Sequence, residues 1–168
     1  LGGCISGAGT NNIKIIGRDN IKTNIEYEVM PDRIEIGTLL CSAAITNGSI
    51  NIENVKVEHI LPVVYKLEEI GCDIKLKDNE ISLIANVLGI AKGTSIIVEN
   101  IFENRYKYLS ELKRMGAKVT IEGKAAIIKG IKRYNSAKVE ATDLRGGAAL
   151  VLASLNAKGK TIISNIGY

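Results

Sequence analysis

The chain has 168 residues, 46% of them apolar and 24% charged, a globular balance with enough length for one domain with its own core. No apolar run reaches the length of a membrane-spanning helix and no leader is visible, so a soluble, cytoplasmic protein is expected. Its 22 basic and 18 acidic residues are evenly mixed, for a net charge of +4, too even for an electrostatic nucleic-acid footprint.

In chain order, Gly7-Ala8-Gly9-Thr10-Asn11 lacks the third glycine of a nucleotide loop and reads as a turn into a strand at 13–16. Residues 26–29 alternate and predict a second strand. Pro31-Asp32-Arg33 opens a helix that runs over 34–46, is apolar nearly all round and stops at Asn47-Gly48. A strand follows at 49–53. An amphipathic helix over 57–70 then places Ile60, Val64, Leu67 and Ile70 on one face, tolerates Pro62 in its first turns and ends at Gly71. Strands at 73–76 and 80–83 form a hairpin around Asp78-Asn79. The pattern then recurs: a short helix over 85–91, a strand at 95–99, and a helix over 105–115 with Tyr108, Leu109, Leu112 and Met115 inward. Gly116 stops that helix, and a hairpin of 118–121 with 125–129 follows. A third copy begins with a helix over 142–157, stopped by Gly159, and a strand at 161–164.

Gly48 and Gly71 fall on Gly93 and Gly116 with one offset, 45, and an offset of 111 carries Gly48 onto Gly159 and Asp32 onto Asp143. Asn54, Asn100 and Asn165 each follow a post-helix strand. The unit is β-α-β-α-β-β, seen about two and a half times, in repeats near 13–83, 84–129 and 139–168 of one domain. Its wholly apolar helices need cover on every side, which predicts an α/β fold with helices inside and sheets outside. The spacing also shows a shortfall. There are 31 residues between Ile16 and Gly48 and 29 between Lys129 and Gly159, but nine between Leu83 and Gly93, so roughly 20 residues are absent near 84–86 by repeat logic.

The chemistry-bearing stretch is Ala141-Thr142-Asp143-Leu144-Arg145-Gly146-Gly147, directly before an apolar helical run. Asp143 can take the orphan N–H groups of the first turn. The glycines let the backbone approach a ligand, and the Arg145 fork fits phosphate or carboxylate, so the stretch reads as an anion site. The plainer alternative is a capped helix with a solvated arginine. Cys4, Cys41 and Cys72 are odd in number and widely spaced, which predicts reduced thiols. His59, the one histidine, lies at a helix start in a capping or surface position, and no metal-ligand spacing appears.

Met30-Pro31-Asp32-Arg33-Ile34-Glu35-Ile36-Gly37-Thr38, Glu99-Asn100-Ile101-Phe102-Glu103-Asn104-Arg105 and Ala141-Thr142-Asp143-Leu144-Arg145 resemble the UDP-N-acetylglucosamine 1-carboxyvinyltransferase family of enolpyruvyl transferases, in the later part of its chain. The resemblance implies an inside-out α/β barrel, with repeats around a pseudo-threefold axis, and an active site in a cleft shared with a second domain of the same enzyme. It implies transfer of the enolpyruvyl group of phosphoenolpyruvate to the 3′-hydroxyl of UDP-N-acetylglucosamine, with release of phosphate, in peptidoglycan synthesis and without a cofactor. Arg145 then contacts phosphoenolpyruvate and steadies the tetrahedral adduct. Asp143 supports that loop, Ile101 touches the nucleotide sugar through its backbone, Arg105 fixes the same loop, and Arg33 makes a structural ion pair.

The departures limit the reading. The family's general base, an aspartate, would fall in the segment missing near 84–86, and a second carboxylate-binding arginine between Ile166 and Gly167. The family's loop cysteine lies in the other domain and matches none of the three here; Cys41, in an apolar helix, should be inert. Taken alone, the chain is therefore expected to be inactive. A half-domain that binds or scaffolds without catalysis is the alternative, and an RNA-end-processing enzyme on a similar repeat is disfavoured by the dispersed charge.

Overall fold

The computed structural model describes residues 3–17, 19, 24–85, 93–100 and 106–167, in two units, Leu1–Met30 and Pro31–Tyr168. In the first, β1 (Cys4–Ser6) pairs antiparallel with β2 (Lys14–Ile16), Cys4 opposite Ile16. The loop between them turns at Gly7, φ 76°, where a Cβ would lie 2.2 Å from the Asn12 carbonyl oxygen; only glycine fits there. Thr10 donates its N–H and its hydroxyl to the Gly7 carbonyl at 3.1 and 2.8 Å. The strand expected at 26–29 does not form: residues 24–30 are irregular, with Tyr27 and Val29 exposed. Alternation becomes a strand only where a neighbour takes its backbone hydrogen bonds.

In the second unit, α1 (Arg33–Thr46) starts at Asp32, whose carboxylate accepts the Ile34 N–H at 2.7 Å. It ends at Asn47, φ 56°, so the left-handed stop falls one residue before Gly48. Ile36, Leu40 and Ala43 are buried, while Ile34 and Leu39 are exposed. After β3 (Ser49–Ile52), the helix expected over 57–70 divides into a 3-10 turn at Val57–His59 and α2 (Leu61–Glu69). Pro62 explains the break, because a continuous helix would need its missing N–H and would press its ring on the preceding turn. Ile60, Val64 and Leu67 are buried as expected, and Ile70 is exposed.

The two hairpins form as read: β4 (Cys72–Lys77) with β5 (Glu80–Ala85), and, beyond β6 (Thr94–Val98) and α3 (Lys107–Arg114), β7 (Lys118–Glu122) with β8 (Ala125–Lys129). The short helix expected at 85–91 lies outside the described residues except for Ala85, which ends β5. Two antiparallel sheets result, ordered β3-β5-β4 and β6-β8-β7, and each element of the second starts about 45 residues after its counterpart in the first. A third sheet pairs β9 (Lys138–Glu140) in parallel with β10 (Ile162–Ser164), linked through α4 (Leu144–Leu155). β9 was not legible as a strand, being three residues with one apolar position.

These sheets, with the β1–β2 hairpin, correct the fold expected from the resemblance. The fold is α/β with antiparallel and parallel pairs and four helices among the described residues, and no sheet closes into a barrel. Closure would need hydrogen bonds running from sheet to sheet, and each sheet here has two or three strands with open edges. Apolarity showed that α1 and α4 need cover; it carried no information about strand closure.

Two apolar clusters hold the second unit. One joins Leu40 of α1 to Ile60, Val64, Leu67, Ile81 and Leu83, and the other joins Leu150 of α4 to Leu109, Leu112, Met115 and Ala126. Each such side chain contributes about 1.5–3 kcal/mol by leaving water. The helices α1 and α4 pack on each other, and Asn156 ties their ends, donating to the Ile45 carbonyl at 3.1 Å while its Oδ1 accepts the Tyr134 N–H.

Candidate functional site

The site is built where the β9–β10 pair delivers the chain into α4. The Ala141 N–H bonds the Ser164 carbonyl at 3.0 Å, and Asn165, at φ 57°, donates from Nδ2 to the Ala141 carbonyl at 3.1 Å. Glu111 of α3, its side chain 15% exposed, takes the Glu140 N–H at 3.0 Å and the Arg114 guanidinium at 2.8 Å on the same oxygen. The end of β9 is thus pinned from both sides. Sequence reasoning noticed Asn165 as a repeated position without a role; Glu111 it missed, since nothing local marks a glutamate within an amphipathic helix as a strand clamp.

Asp143, extended at φ −168°, is the N-cap of α4. Its Oδ1 accepts the Gly146 N–H at 2.9 Å, its Oδ2 the Thr142 hydroxyl at 3.1 Å, and its carbonyl the Gly147 N–H at 2.8 Å. The carboxyl is held below the usual range, chiefly by the Gly146 N–H; desolvation, next in size, opposes it, and the Thr142 hydroxyl, the Arg145 N–H and the Arg145 charge lower it further. It is therefore an ionised cap with both oxygens engaged. Arg145, on the first turn of α4, is exposed. A guanidinium beside a helix's positive end can bind an anion in two-pronged fashion.

The two glycines differ. Gly146 is buried, and a Cβ there would stand 3.0 Å from Tyr108 Cβ, Asp143 Oδ2 and Thr142 Oγ1. The close approach it permits is that of α3 to the cap, a correction to the expectation of ligand contact. A Cβ at Gly147 would meet only Ala141 Cβ at 3.4 Å. Tyr108 and Tyr134 pack against the second apolar cluster, and burial pushes both phenols above their usual range. Tyr106 and Asp143 raise Tyr108 further, and Tyr108 does the same to Tyr134.

Of the residues read from the sequence, the structure brings Asp143 and Arg145 together. Ile101 and Arg105 lie outside the described residues. Arg33 is exposed at the start of α1, and the described ion pairs join Lys66 to Glu69 and Arg114 to Glu111. Among the described residues no group of histidine, cysteine or carboxylate side chains could hold a metal ion, and no helix is long and apolar enough to cross a membrane. Cys72 is buried and Cys41 half-buried in the first core; burial raises both thiols, and Cys41 raises Cys72 further.

Comparison with known proteins gives a consistent picture. The family model described as EPSP synthase (3-phosphoshikimate 1-carboxyvinyltransferase) matches residues 1–91 and 81–168. A UDP-N-acetylglucosamine 1-carboxyvinyltransferase from Desulfofundulus thermocisternus is 41% identical over 194 aligned positions, covering 100% of this chain and 80% of that protein. UDP-N-acetylglucosamine 1-carboxyvinyltransferase 1 from Caldanaerobacter subterraneus subsp. tengcongensis is 44% identical over 99% of this chain and 46% of its own length. Beside the Desulfofundulus protein, the chain thus spans about half the length of the curated relatives it matches. Among solved structures, the enolpyruvyl transferase NikO from Streptomyces tendae superposes with a TM-score of 0.84 at 20% identity, over 99% of this chain and 46% of that one. EPSP synthase from Acinetobacter baumannii gives 0.62 at 17%, over 82% of this chain and 39% of that one. Both likenesses are of fold.

Proposed function

We propose, because this chain belongs to the EPSP synthase family of carboxyvinyltransferases, that it supplies one wall of a site moving the enolpyruvyl group of phosphoenolpyruvate to the 3′-hydroxyl of UDP-N-acetylglucosamine, in cytoplasmic peptidoglycan synthesis. Relatives 38–44% identical to this chain are UDP-N-acetylglucosamine 1-carboxyvinyltransferases, which supports this acceptor. The observation that carries the chemistry is Arg145, exposed at the positive end of α4 beside an occupied cap. Its guanidinium neutralises the anionic oxygens of the three-carbon donor. As the 3′-oxygen bonds to the central carbon, losing its proton while the methylene carbon gains one, and as a methyl proton and phosphate later leave to restore the double bond, it stabilises the charge that gathers on the adduct. Asp143 is a positioning group, because both its carboxylate oxygens already hold donors, the Gly146 N–H and the Thr142 hydroxyl. The base and the remaining acid–base groups would come from outside this chain, with the enzyme's second domain completing the cleft. Ile101 and Arg105 are assigned to the nucleotide-sugar side on the motif alone.

Titrating the isotope-labelled chain with phosphoenolpyruvate tests the reading. The amides of Arg145, Gly146 and Gly147 should shift, and Arg145→Ala should weaken binding by at least tenfold with the fold unchanged. Unmoved amides in the parent chain would remove the anion site. A second reading, a module that binds without turnover, is favoured by the absence of any free base on the first turn of α4; phosphate release by this chain alone, with both substrates present, would exclude it.

A further inference from the structure

We infer that α3 is the element that positions Arg145, because Glu111 and Tyr108 on one face of it brace the two ends of the segment that carries the arginine. The inference rests on the reading of Arg145 as the donor-binding group and deepens it. β9 has β10 on one edge and, among the described residues, no strand on the other. The Glu140 N–H lies on that open edge, where a donor is ordinarily left to water. Here Glu111 Oε2 accepts it at 3.0 Å. The acceptor is a carboxylate, so the bond is charge-assisted. Its side chain is 15% exposed, so water competes for it weakly. Arg114 Nη1, at 2.8 Å from the same oxygen, fixes the carboxylate in turn.

Tyr108 meets the other end of the segment. Its Cβ would stand 3.0 Å from a Cβ at Gly146, so helix and turn touch with no room between them. Tyr108 and Glu111 are three residues apart on α3 and therefore share a face. Arg145 lies between the two contacts, after Glu140 and directly before Gly146. Its guanidinium is exposed, so its placement depends on the backbone from which it projects. A backbone held at both ends by one helix is ordered before any ligand arrives. Preorganisation of this kind raises affinity by removing an ordering cost from binding.

Glu111 is thus a positioning residue, and three variants of the 168-residue chain test it. Glu111→Ala strips the Glu140 N–H of its acceptor, while Glu111→Gln keeps a carbonyl oxygen at the same reach. Val119→Ala, on β7, loosens the apolar cluster that α3 packs in. In the ligand-free chain, Glu111→Ala should speed exchange of the Glu140 amide at least tenfold and shift the amides of Asp143, Arg145 and Gly146; Glu111→Gln should bring both back toward the parent. Titrated with phosphoenolpyruvate, Glu111→Ala should bind at least fivefold more weakly. Glu111→Gln should recover to within twofold, and Val119→Ala should stay within twofold although its melting temperature falls. Should Glu111→Ala fail to fold, Glu111→Asp, one methylene short of reach, reads the same amides and affinity. Unmoved amides in the ligand-free variant would overturn the inference. So would moved amides with unchanged affinity, or equal weakening by Val119→Ala, either of which reduces Glu111 to a stabilising contact. A parent chain that does not bind phosphoenolpyruvate overturns the reading of Arg145 and not the brace, which the ligand-free amides decide by themselves.

Discussion

Asp143 shows how a side chain's partners decide its chemistry. A carboxylate that accepts an N–H from Gly146 and a hydroxyl from Thr142 is stabilised in its charged form, so it binds its proton more weakly in the folded chain than in the unfolded one. The sign of the linkage follows. Its contribution to stability is complete above the ordinary aspartate range, near pH 4, and is lost as pH falls through the lower folded value. Asp143→Ala should cost about 1 kcal/mol at neutral pH, the usual loss of an N-cap, and should flatten the acid limb of stability measured by urea unfolding between pH 5 and 2. An acid limb unchanged by the substitution would show that the cap is not titrating. Thr161 is the opposite case: among the described residues its hydroxyl is buried without a hydrogen-bond partner. Thr161→Val should therefore be neutral or stabilise by up to about 1 kcal/mol, because an unpaired buried hydroxyl costs free energy that a methyl does not; a loss of stability in denaturant titration would reveal a partner.

Elements were legible where sequence carries its own boundary marks. Asp32 and Asp143 announced α1 and α4, Asp78 announced the first hairpin turn, and both hairpins formed. What failed depended on a neighbour the local sequence does not name. Residues 26–29 had the alternation of a strand without a strand to join, and β9 had a partner without enough residues to show alternation. Gly146 and Gly147 read alike in sequence and part company only through Tyr108, which lies on another helix. That difference is measurable. Gly146→Val must push its branched side chain into Tyr108, Asp143 and Thr142, an overpacking worth about 1–3 kcal/mol of destabilisation. Gly147→Ala meets ordinary contact and should gain up to about 1 kcal/mol from helix propensity. Thermal unfolding of the two variants should move in opposite directions; a shared direction would mean that α3 does not abut the first turn of α4 as closely as described.

At the scale of the molecule, burial is distributed unevenly between the two units. Pro31–Tyr168 contains both apolar clusters, anchored on Leu40 and Leu150, whose side chains are wholly shielded from solvent. Every residue of β1 and β2 is exposed, including Ile5, Ile15 and Ile16. A two-stranded hairpin with no buried face has only its ladder and turn to offset the entropy of ordering it, and is marginal in water. Among the described residues, both clusters are drawn from residues 36–163. Removing residues 1–30 should therefore leave the unfolding of the remainder cooperative, with its midpoint moved by no more than about 4 °C, the shift that roughly 1 kcal/mol makes in a domain of this size. Amide exchange on the full chain supplies the second measurement: β1 and β2 should exchange at rates set by local opening, while α1 near Leu40 and α4 near Leu150 should exchange only through global unfolding. Loss of the cooperative transition on deletion, or protection of β1 equal to that of α4, would show that the first thirty residues belong to the same folding unit as the rest.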